Sequence, residues 1–233
     1  MTKEEYVRGI FNNIAPRYDL LNTVLSFNRD RGWRRFAVAR AGLVPGDKVL
    51  DVCCGTGMLA LELARAVNPG GQVIGLDFAP AMLQIARRRL AASPPGHLVQ
   101  LVEGNALELP FADNTFDCAT VAFGLRNLPD IKRGLAEMRR VVRPGGRVVS
   151  LELAKPSRPI FKQLYYFYFD HLVPFIGRLG IGIDGPYSYL PRSLKGYPHQ
   201  EEVLQYFRDL DLEGAPYYEL TGGIVAVHVG IKK

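Results

Sequence analysis

The sequence predicts an α/β fold in which a mostly parallel sheet carries helices on both faces and ends in an antiparallel C-terminal hairpin. Short apolar runs alternate with helical patterns between Lys48 and Leu153, and strands that alternate with helices pair in parallel through right-handed crossovers. Pro-Gly-Gly turns at 69–71 and 144–146 directly precede two of the apolar runs. Near the end, two further apolar runs flank a Gly-Gly pair at 222–223, which is typical of a hairpin.

Seven strands make up the predicted sheet, and their apolar character indicates burial on both faces. Such an arrangement is Rossmann-like. The predicted strands are Lys48–Val52, Gln72–Leu76, Leu98–Glu103, Phe116–Ala122, Arg147–Leu153, Tyr217–Leu220 and Ile224–Ile231. Helices are predicted at Met58–Ala66, Pro80–Ala91 and Asp130–Val142, with a short turn at Leu107–Leu109.

We expect a single domain over residues 1–233, because a chain of this length can bury one substantial core. Two segments lie outside the alternating pattern. Residues 1–41 are interpreted as an N-terminal helical lid, which Pro16 interrupts. Residues 155–198 are rich in aromatic residues, Pro and Gly, and we interpret them as an insert that caps a substrate.

Composition excludes several classes of protein. No run reaches the roughly 18 uncharged apolar residues of a membrane span, and the first residues are not typical of a secretory signal. We therefore expect a cytoplasmic protein, peripheral at the inner face of a membrane. The net charge of +6 comes from basic residues spread along the chain, so we interpret it as a solvated surface and expect no nucleic acid.

The three cysteines form no disulfide framework or zinc motif. Cys53 and Cys54 are adjacent, which excludes a C-x-x-C redox site. We expect small buried side chains at a strand end, and no metal.

A glycine turn follows the first predicted strand. Gly55 and Gly57 can bring the backbone close to a ligand, and the helix after them can hold an anion. The third glycine of the dinucleotide fingerprint is replaced by Ala60. Asp51 ends the strand, and its carboxylate repels a pyrophosphate but attracts an ammonium group. A cationic ligand is therefore favoured over a dinucleotide.

Polar side chains also follow the next two strands. Asp77 lies about 20 residues past the turn, where a carboxylate accepts hydrogen bonds from ribose hydroxyls. Asn105 and the backbone of Ala106 are placed to contact an adenine edge. An adenosine with a positive amino-acid tail and no phosphate describes S-adenosylmethionine, and Asp51 with the Gly55-Thr56-Gly57 backbone is expected to hold its methionine part.

The Val49–Gly57 string, with the later GLD, GNA and PGGRVV strings, resembles class I S-adenosylmethionine-dependent methyltransferases over about two-thirds of the chain. Four more strings resemble the family that C-methylates polyprenylated quinols in menaquinone and ubiquinone biosynthesis: NNIAPRYDLLN, FGLRNLPD, YSYLPRSLKGYP and LTGGIVAVHVGIKK. This resemblance implies C-methylation of a demethylated isoprenoid quinol, with demethylmenaquinol as the first candidate. It also implies cofactor contacts at Thr56, Asp77, Asn105 and Ala106.

Methylation of a quinol ring carbon requires orientation, removal of a hydroxyl proton and exclusion of water. We expect Arg126 to stabilise a quinolate oxygen and Asn127 to donate a hydrogen bond to it. The candidate proton acceptors are Asp19, Tyr18, Tyr187 and His199.

Two alternatives remain open at the sequence level. The first is methylation of another benzoquinol, a phospholipid or a small lipophilic acceptor. The second is a binding module that has kept the fold and lost catalysis, which the basic charge allows and the intact glycine turn disfavours. The expected partners are an isoprenoid quinol, a membrane surface and a second copy in a homodimer.

Overall fold

The computed structural model describes residues 2–156, 162, 163, 165, 168, 185–214 and 217–233, with only the backbone for 185–188. In this part of the chain the strands form one sheet, and the strand order is β3-β2-β1-β4-β5-β8-β6, with β7 also paired to β8. The strands are β1 (Lys48–Val52), β2 (Gln72–Asp77), β3 (Val99–Glu103), β4 (Phe116–Ala122), β5 (Val142–Leu153), β6 (Leu212–Glu213), β7 (Tyr218–Leu220) and β8 (Val225–Lys232).

Strands β1 to β5 are parallel, and β8 runs antiparallel to β5. The predicted α/β fold with a reversed C-terminal hairpin is therefore confirmed. In the sheet, β2 and then β3 lie on one side of β1, whereas β4 and then β5 lie on its other side. The carboxyl ends of β1 and β4 consequently border a switch in strand order, where ligands bind in folds of this type.

The described helices surround this sheet, and the predicted helix at Pro80–Ala91 is confirmed at both ends. They are α1 (Lys3–Ile14), α2 (Tyr18–Leu25), α3 (Asp30–Ala41), α4 (Met58–Val67), α5 (Pro80–Ala91), α6 (Ile131–Val141), α7 (Gly185–Gly196) and α8 (Gln200–Asp209).

The main departures from the predicted elements lie in the second half. Strand β5 begins five residues early, because Val142 already pairs with Phe116 of β4. Residues 143–146, which include the left-handed Gly145 (φ +80°), form a bulge before pairing resumes at Arg147. Helix α8 was not predicted, although Val203 and Phe207 have helical spacing and are both buried. The two-residue strand β6 is too short to leave a sequence pattern.

Apolar side chains pack on both faces of the sheet, as the strand composition predicts. One core lies under α6 and α8, and the other lies under α3 and α4. Trp33, Ala37 and Ala41 of α3 belong to the second core, so this helix is part of the helical layer. The predicted break at Pro16 is confirmed, because a 3₁₀ turn at Ala15–Arg17 separates α1 from α2. Whether residues 1–41 act as a lid stays a prediction.

Much of the predicted insert at 155–198 lies outside the described residues. Within the described part, Tyr165, Leu194 and the partly buried Tyr168 form a small cluster. In the ranges that the structure describes, no helix has the length and apolar character needed to cross a bilayer.

Candidate active site

Two neighbouring cavities open at the carboxyl edge of the sheet. The first, cavity A, has a volume of about 680 Å³, counting the part that opens to solvent. It lies over the ends of β1 to β4 and under α1. Its wall includes Glu4, Val7, Phe11, Tyr18, Cys53, Gly55, Asp77, Asn105, Ala106, Ala122, Phe123 and Asn127.

The glycine turn after β1 forms one wall of cavity A. Gly55 has a φ of +54°, and a β-carbon built on it meets no atom within 4 Å. Gly57 has a φ of +77° and begins α4, and a β-carbon there comes within 3.3 Å of the methyl group of Ala86 on α5. Glycine is therefore needed for the left-handed backbone at both positions and for close helix packing at the second. The N–H groups of both glycines are engaged within the protein, by the Asp77 carboxylate and the Cys54 carbonyl.

Asp77 at the end of β2 presents a fixed carboxylate to cavity A. One oxygen accepts a hydrogen bond from the Gly55 N–H at 2.8 Å, and the other accepts one from the Ala79 N–H at 2.9 Å. Burial raises the pKa of Asp77, while these backbone hydrogen bonds oppose the shift. An ionised carboxylate has about four acceptor positions, so acceptor capacity remains for hydroxyl groups of a ligand.

Asn105 and Ala106 follow β3 and line the far end of cavity A. The amide oxygen of Asn105 accepts a hydrogen bond from the Leu107 N–H at 2.9 Å, which shapes the turn. Its amide nitrogen lies 3.3 Å from a carboxylate oxygen of Glu4 on α1. The predicted residues of β2 and β3 therefore meet in one cavity with the glycine turn.

Asp51, in contrast, does not line cavity A. It is 1% exposed and accepts a hydrogen bond from the Thr120 hydroxyl at 3.1 Å, across the β1–β4 pair. Its second oxygen has no hydrogen-bond partner among the described residues. Burial raises the pKa of the Asp51 carboxyl to about 7, although Thr120 and the charge of Arg34 oppose the shift.

We expect Asp51→Asn to reduce the pH dependence of stability in the cofactor-free protein. Native Asp51 keeps its proton to about pH 7, whereas the unfolded chain releases it near pH 3.8. The native state therefore binds more protons in this window, so the free energy of unfolding falls as pH rises through it and levels off above pH 7. At about 1.4 kcal/mol per pH unit, the loss in wild type is on the order of 4 kcal/mol.

Urea unfolding at pH 5 and pH 8 measures the part of this loss that falls between pH 5 and pH 7, which is about 2.7 kcal/mol in wild type. The variant should lose less stability than wild type between the two values, because an amide does not ionise. Asp113→Asn is the matched control, since that side chain is 66% exposed. Equal pH profiles for Asp51→Asn and wild type contradict the expectation.

Asp19 and Thr56 connect α2 to the glycine turn. The Thr56 hydroxyl donates a hydrogen bond to one Asp19 oxygen at 2.7 Å, and the other oxygen pairs with Arg89 of α5. Arg89 also donates to the Thr56 carbonyl. Both carboxylate oxygens of Asp19 are thus engaged, and neither Asp19 nor Thr56 lines cavity A. The neighbouring Tyr18 does line it, and burial raises the pKa of its hydroxyl.

The second cavity, cavity B, is larger and mostly apolar, with a volume of about 1190 Å³ including its opening to solvent. It is lined by Asn22, Leu25, Ser26, Phe27, Arg29, Asp30, Trp33, Arg34, Phe123, Arg126, Leu153, Tyr165, Tyr168, Leu190, Thr221 and Ile224.

Phe123 belongs to the walls of both cavities and has a φ of +58°. A left-handed backbone is costly for an aromatic residue, and such strain concentrates at functional sites.

Two buried ion pairs contribute to the wall of cavity B. Arg34 and Asp30 are 2.5 Å apart on α3, with side chains 7% and 4% exposed. Arg126 and Glu152 are 2.6 Å apart, with side chains 7% and 2% exposed. Charges so far from water are stable only when paired, so each arginine is held in one position.

The 3₁₀ turn after β4 sends neighbouring side chains to different cavities. Arg126 lines cavity B and also donates to the Phe123 carbonyl at 2.7 Å, whereas Asn127 lines cavity A. The Asn127 amide oxygen accepts a hydrogen bond from the Tyr189 hydroxyl at 2.9 Å. The two predicted residues therefore flank the boundary between the cavities.

The other predicted proton acceptors differ in position. Tyr187 lies in the first turn of α7, and its side chain is outside the described part of the structure. Tyr189, two residues later, makes the contact with Asn127. His199 caps the N-terminus of α8, and it lines neither cavity.

Sequence reasoning missed four polar residues at these cavities. Asp30 and Arg34 have the i, i+4 spacing of an ordinary surface pair, so no local signal marked them as buried. Glu152 lies inside an apolar strand, where a lone carboxylate requires a partner; that signal was available. Tyr189 belongs to the YSYLP string, which contains two tyrosines and does not distinguish them.

A Rossmann-like sheet with a glycine turn and a strand-end carboxylate marks an enzyme that binds a nucleoside cofactor at the carboxyl edge of the sheet, and the class here is that of the S-adenosylmethionine-dependent methyltransferases. The sequence model of the ubiE/COQ5 methyltransferase family matches residues 1–232, and the chain belongs to that family. It is an enzyme whose methyl donor is S-adenosylmethionine.

Relatives are similar over the whole chain. A demethylmenaquinone methyltransferase from Desulfitobacterium hafniense is 49% identical over 230 residues, which cover 99% of this chain and 91% of that protein. One from Halalkalibacterium halodurans is 44% identical over 232 residues, with coverage of 100% and 94%.

Solved structures share the fold at low identity. An S-adenosylmethionine-dependent methyltransferase from Thermotoga maritima is 21% identical, with a TM-score of 0.65 and coverage of 97% of this chain and 99% of that one. Another from Aquifex aeolicus is 19% identical, with a TM-score of 0.63 and coverage of 85% and 88%.

Proposed function

We propose that this methyltransferase C-methylates a demethylated isoprenoid quinol, with demethylmenaquinol as its substrate. The observation that carries the proposal is the apolar cavity B, which shares Phe123 with cavity A and holds two buried arginines. Such a cavity suits an aromatic ring with a lipid tail, and each arginine can face a ring oxygen. The relatives named demethylmenaquinone methyltransferase support this choice of substrate.

The cofactor is proposed to bind in cavity A. When bound, S-adenosylmethionine supplies a methyl group on a positively charged sulfur. Asp77 has unused acceptor positions for the ribose hydroxyls, and the open space at Gly55 suits close approach of a ligand to the backbone. Asn105 and Ala106 are proposed to contact the adenine. These features of the cavity fit an uncharged ribose better than a pyrophosphate.

The remaining predicted cofactor residues are proposed to act from behind the cavity wall. Asp51 is buried next to the turn, where an ammonium group nearby favours its ionised form and a phosphate disfavours it. Thr56 orients the turn through its bond to Asp19. Gly57 allows α4 to begin there with its amides directed towards the methionine part.

The chain's own residues are proposed to prepare the acceptor ring. Arg126 is rigidly held by Glu152 and stabilises negative charge on a ring oxygen, while Asn127 donates a hydrogen bond. Tyr18, Asp19 and Tyr187 stay candidates for accepting the hydroxyl proton. Asp19 must exchange its bond with Thr56 or Arg89 for one with the substrate. Phe123 and the apolar wall exclude water.

Methyl transfer from labelled S-adenosylmethionine to a panel of acceptors tests the function. The panel contains demethylmenaquinol, a demethylated benzoquinol and phosphatidylethanolamine, each in the same detergent. We expect label on a ring carbon of demethylmenaquinol, located by mass spectrometry. Label on the benzoquinol or the phospholipid instead supports the alternative of another lipophilic acceptor, and cofactor binding without transfer to any of them contradicts the proposal.

We further propose that the enzyme works at the cytoplasmic face of a membrane, because an isoprenoid tail resides in the bilayer. A homodimer stays a prediction, which light scattering of the purified protein checks. We expect no affinity for nucleic acid, despite the net charge of +6.

A further inference from the structure

Helix α2 and the turn after it expose an unusual amount of apolar surface. Among the described residues, six large apolar side chains are exposed, and three of them fall within eight consecutive positions. Leu20 is 66% exposed, Val24 is 46% exposed and Phe27 is 76% exposed. Leu20 and Val24 are four residues apart and share one face of the helix.

The backbone turns Phe27 outward at a cost. Its φ is +51°, and the φ of Asn28 is +60°. Two consecutive left-handed residues without glycine are uncommon, and an aromatic residue is disfavoured there. The ring nevertheless lines the opening of cavity B. The fold therefore keeps a strained aromatic side chain at the rim of the cavity without burying it in the core.

In the segment around this surface, acidic side chains face inward and basic side chains face solvent. The two acidic residues of the segment are directed inward: Asp19 pairs with Arg89, and Asp30 is buried against Arg34. The exposed charged side chains between positions 17 and 35 are Arg17, Arg29, Arg31 and Arg35. Arg35 pairs with Glu62 of α4 at 3.7 Å. The segment itself thus exposes apolar side chains and only positive charge.

We propose that this surface, the α2 face (Leu20, Val24, Phe27, Arg29 and Arg31), docks on an anionic lipid bilayer. Its apolar side chains enter the headgroup region and its arginines contact lipid phosphates, as interfacial amphipathic helices do. Docking places the opening of cavity B at the bilayer, from which a lipid-tailed quinol can enter. In this respect the inference rests on the proposed function. A second copy fits the α2 face less well, because two such basic faces repel each other.

Vesicle flotation of the full-length protein, without cofactor or quinol, tests the proposal. Wild type is expected to float with vesicles of phosphatidylcholine and phosphatidylglycerol, and much less with phosphatidylcholine alone. Leu20→Ser with Val24→Ser is expected to lower the partition about tenfold, since burial of each lost group contributes to binding. Arg31→Gln is expected to lower it about fivefold at low salt and less at high salt.

Matched controls come from the end of the sheet opposite the two cavities and from α5. Val44 and Ile231 are 56% and 37% exposed, and Val44→Ser with Ile231→Ser should leave partition unchanged. Arg87→Gln on α5 is the control for charge. Thermal melts of all variants verify folding. Equal losses of vesicle binding in the test and control variants overturn the proposal. Failure of the wild type to bind anionic vesicles overturns it as well.

The same variants separate this inference from the proposed function. Leu20 and Val24 line neither cavity, so their replacement should not alter methylation of a short-tailed, water-soluble quinol. If the protein binds vesicles but methylates no quinol, the proposed function is contradicted while the docking inference stands. Loss of a dimer in Leu20→Ser with Val24→Ser, with vesicle binding unchanged, identifies the α2 face as a contact between copies and overturns docking.

Discussion

Asp77→Ala is expected to weaken S-adenosylmethionine binding severely. The change removes an acceptor of the ribose hydroxyls and leaves the Gly55 and Ala79 N–H groups without the carboxylate that now holds them at 2.8 and 2.9 Å. Hydrogen bonds to an ionised group contribute about 1.5–3 kcal/mol each. Loss of two to the ligand therefore weakens affinity by about 100-fold or more. Isothermal titration calorimetry measures it.

Asp77→Asn tests whether the acceptors of the carboxylate matter more than its volume. The amide has the shape of the carboxylate, but one of its two ends is a donor. That end faces either the Gly55 N–H or the Ala79 N–H, and two donors repel each other. We therefore expect this variant to bind the cofactor nearly as poorly as Asp77→Ala, although it keeps the volume of the side chain.

Asp117→Ala is the matched control for both variants. Asp117 also accepts a backbone hydrogen bond, from the Lys48 N–H at 2.7 Å, and it pairs with Arg143 at 2.6 Å. It lies at the opposite end of the strands from cavity A. Its loss should lower the melting temperature and leave cofactor affinity unchanged. Cofactor affinity of Asp77→Ala within a few-fold of wild type contradicts the role proposed for Asp77.

Arg126→Ala is expected to lower kcat by at least about 100-fold while cofactor affinity survives, because one positioned charge at a developing anion contributes about 3 kcal/mol. The same change leaves the carboxylate of Glu152 buried without its partner, since that side chain is 2% exposed. Removing one member of a buried pair costs about 3–5 kcal/mol of stability. A loss of activity in this variant alone is therefore ambiguous.

Arg126→Ala combined with Glu152→Gln separates the two effects. The second change removes the unpaired charge, so the melting temperature should recover much of the lost stability. Turnover should stay low, because the group facing the ring oxygen is still absent. Recovery of kcat together with stability shows that Arg126 acts only through the fold. Glu152→Gln alone should reduce turnover less than Arg126→Ala.

The sheet and the glycine turn were predictable because their signals are local. Apolar runs, Pro-Gly turns and helical spacing repeat along the chain and depend only on near neighbours. β1 and β4 have the predicted bounds, and the predicted hairpin forms between β7 and β8. The strand ends at Asp77 and Asn105 then meet in cavity A, because the ends of adjacent parallel strands lie at one edge.

The direction of individual side chains could not be predicted in the same way. Asp51 was expected at the ligand, but it faces Thr120 behind the turn. Asp19 is a predicted acceptor of the hydroxyl proton, and both of its oxygens are engaged by Thr56 and Arg89. Each depends on a partner from a distant part of the chain, which spacing does not reveal.

The sequence by itself determined the class of sheet, the glycine turn, the order of polar residues after the strands and the family strings. These follow from backbone geometry and the burial of apolar side chains, which act over a few residues. Only the tertiary structure decided that Phe123 borders both cavities, that Asp30 and Arg34 form a buried pair, and that the α2 face presents only positive charge to solvent, from Arg29 and Arg31. Those features arise where segments far apart in sequence meet, since burial and pairing of charge depend on which surfaces come together.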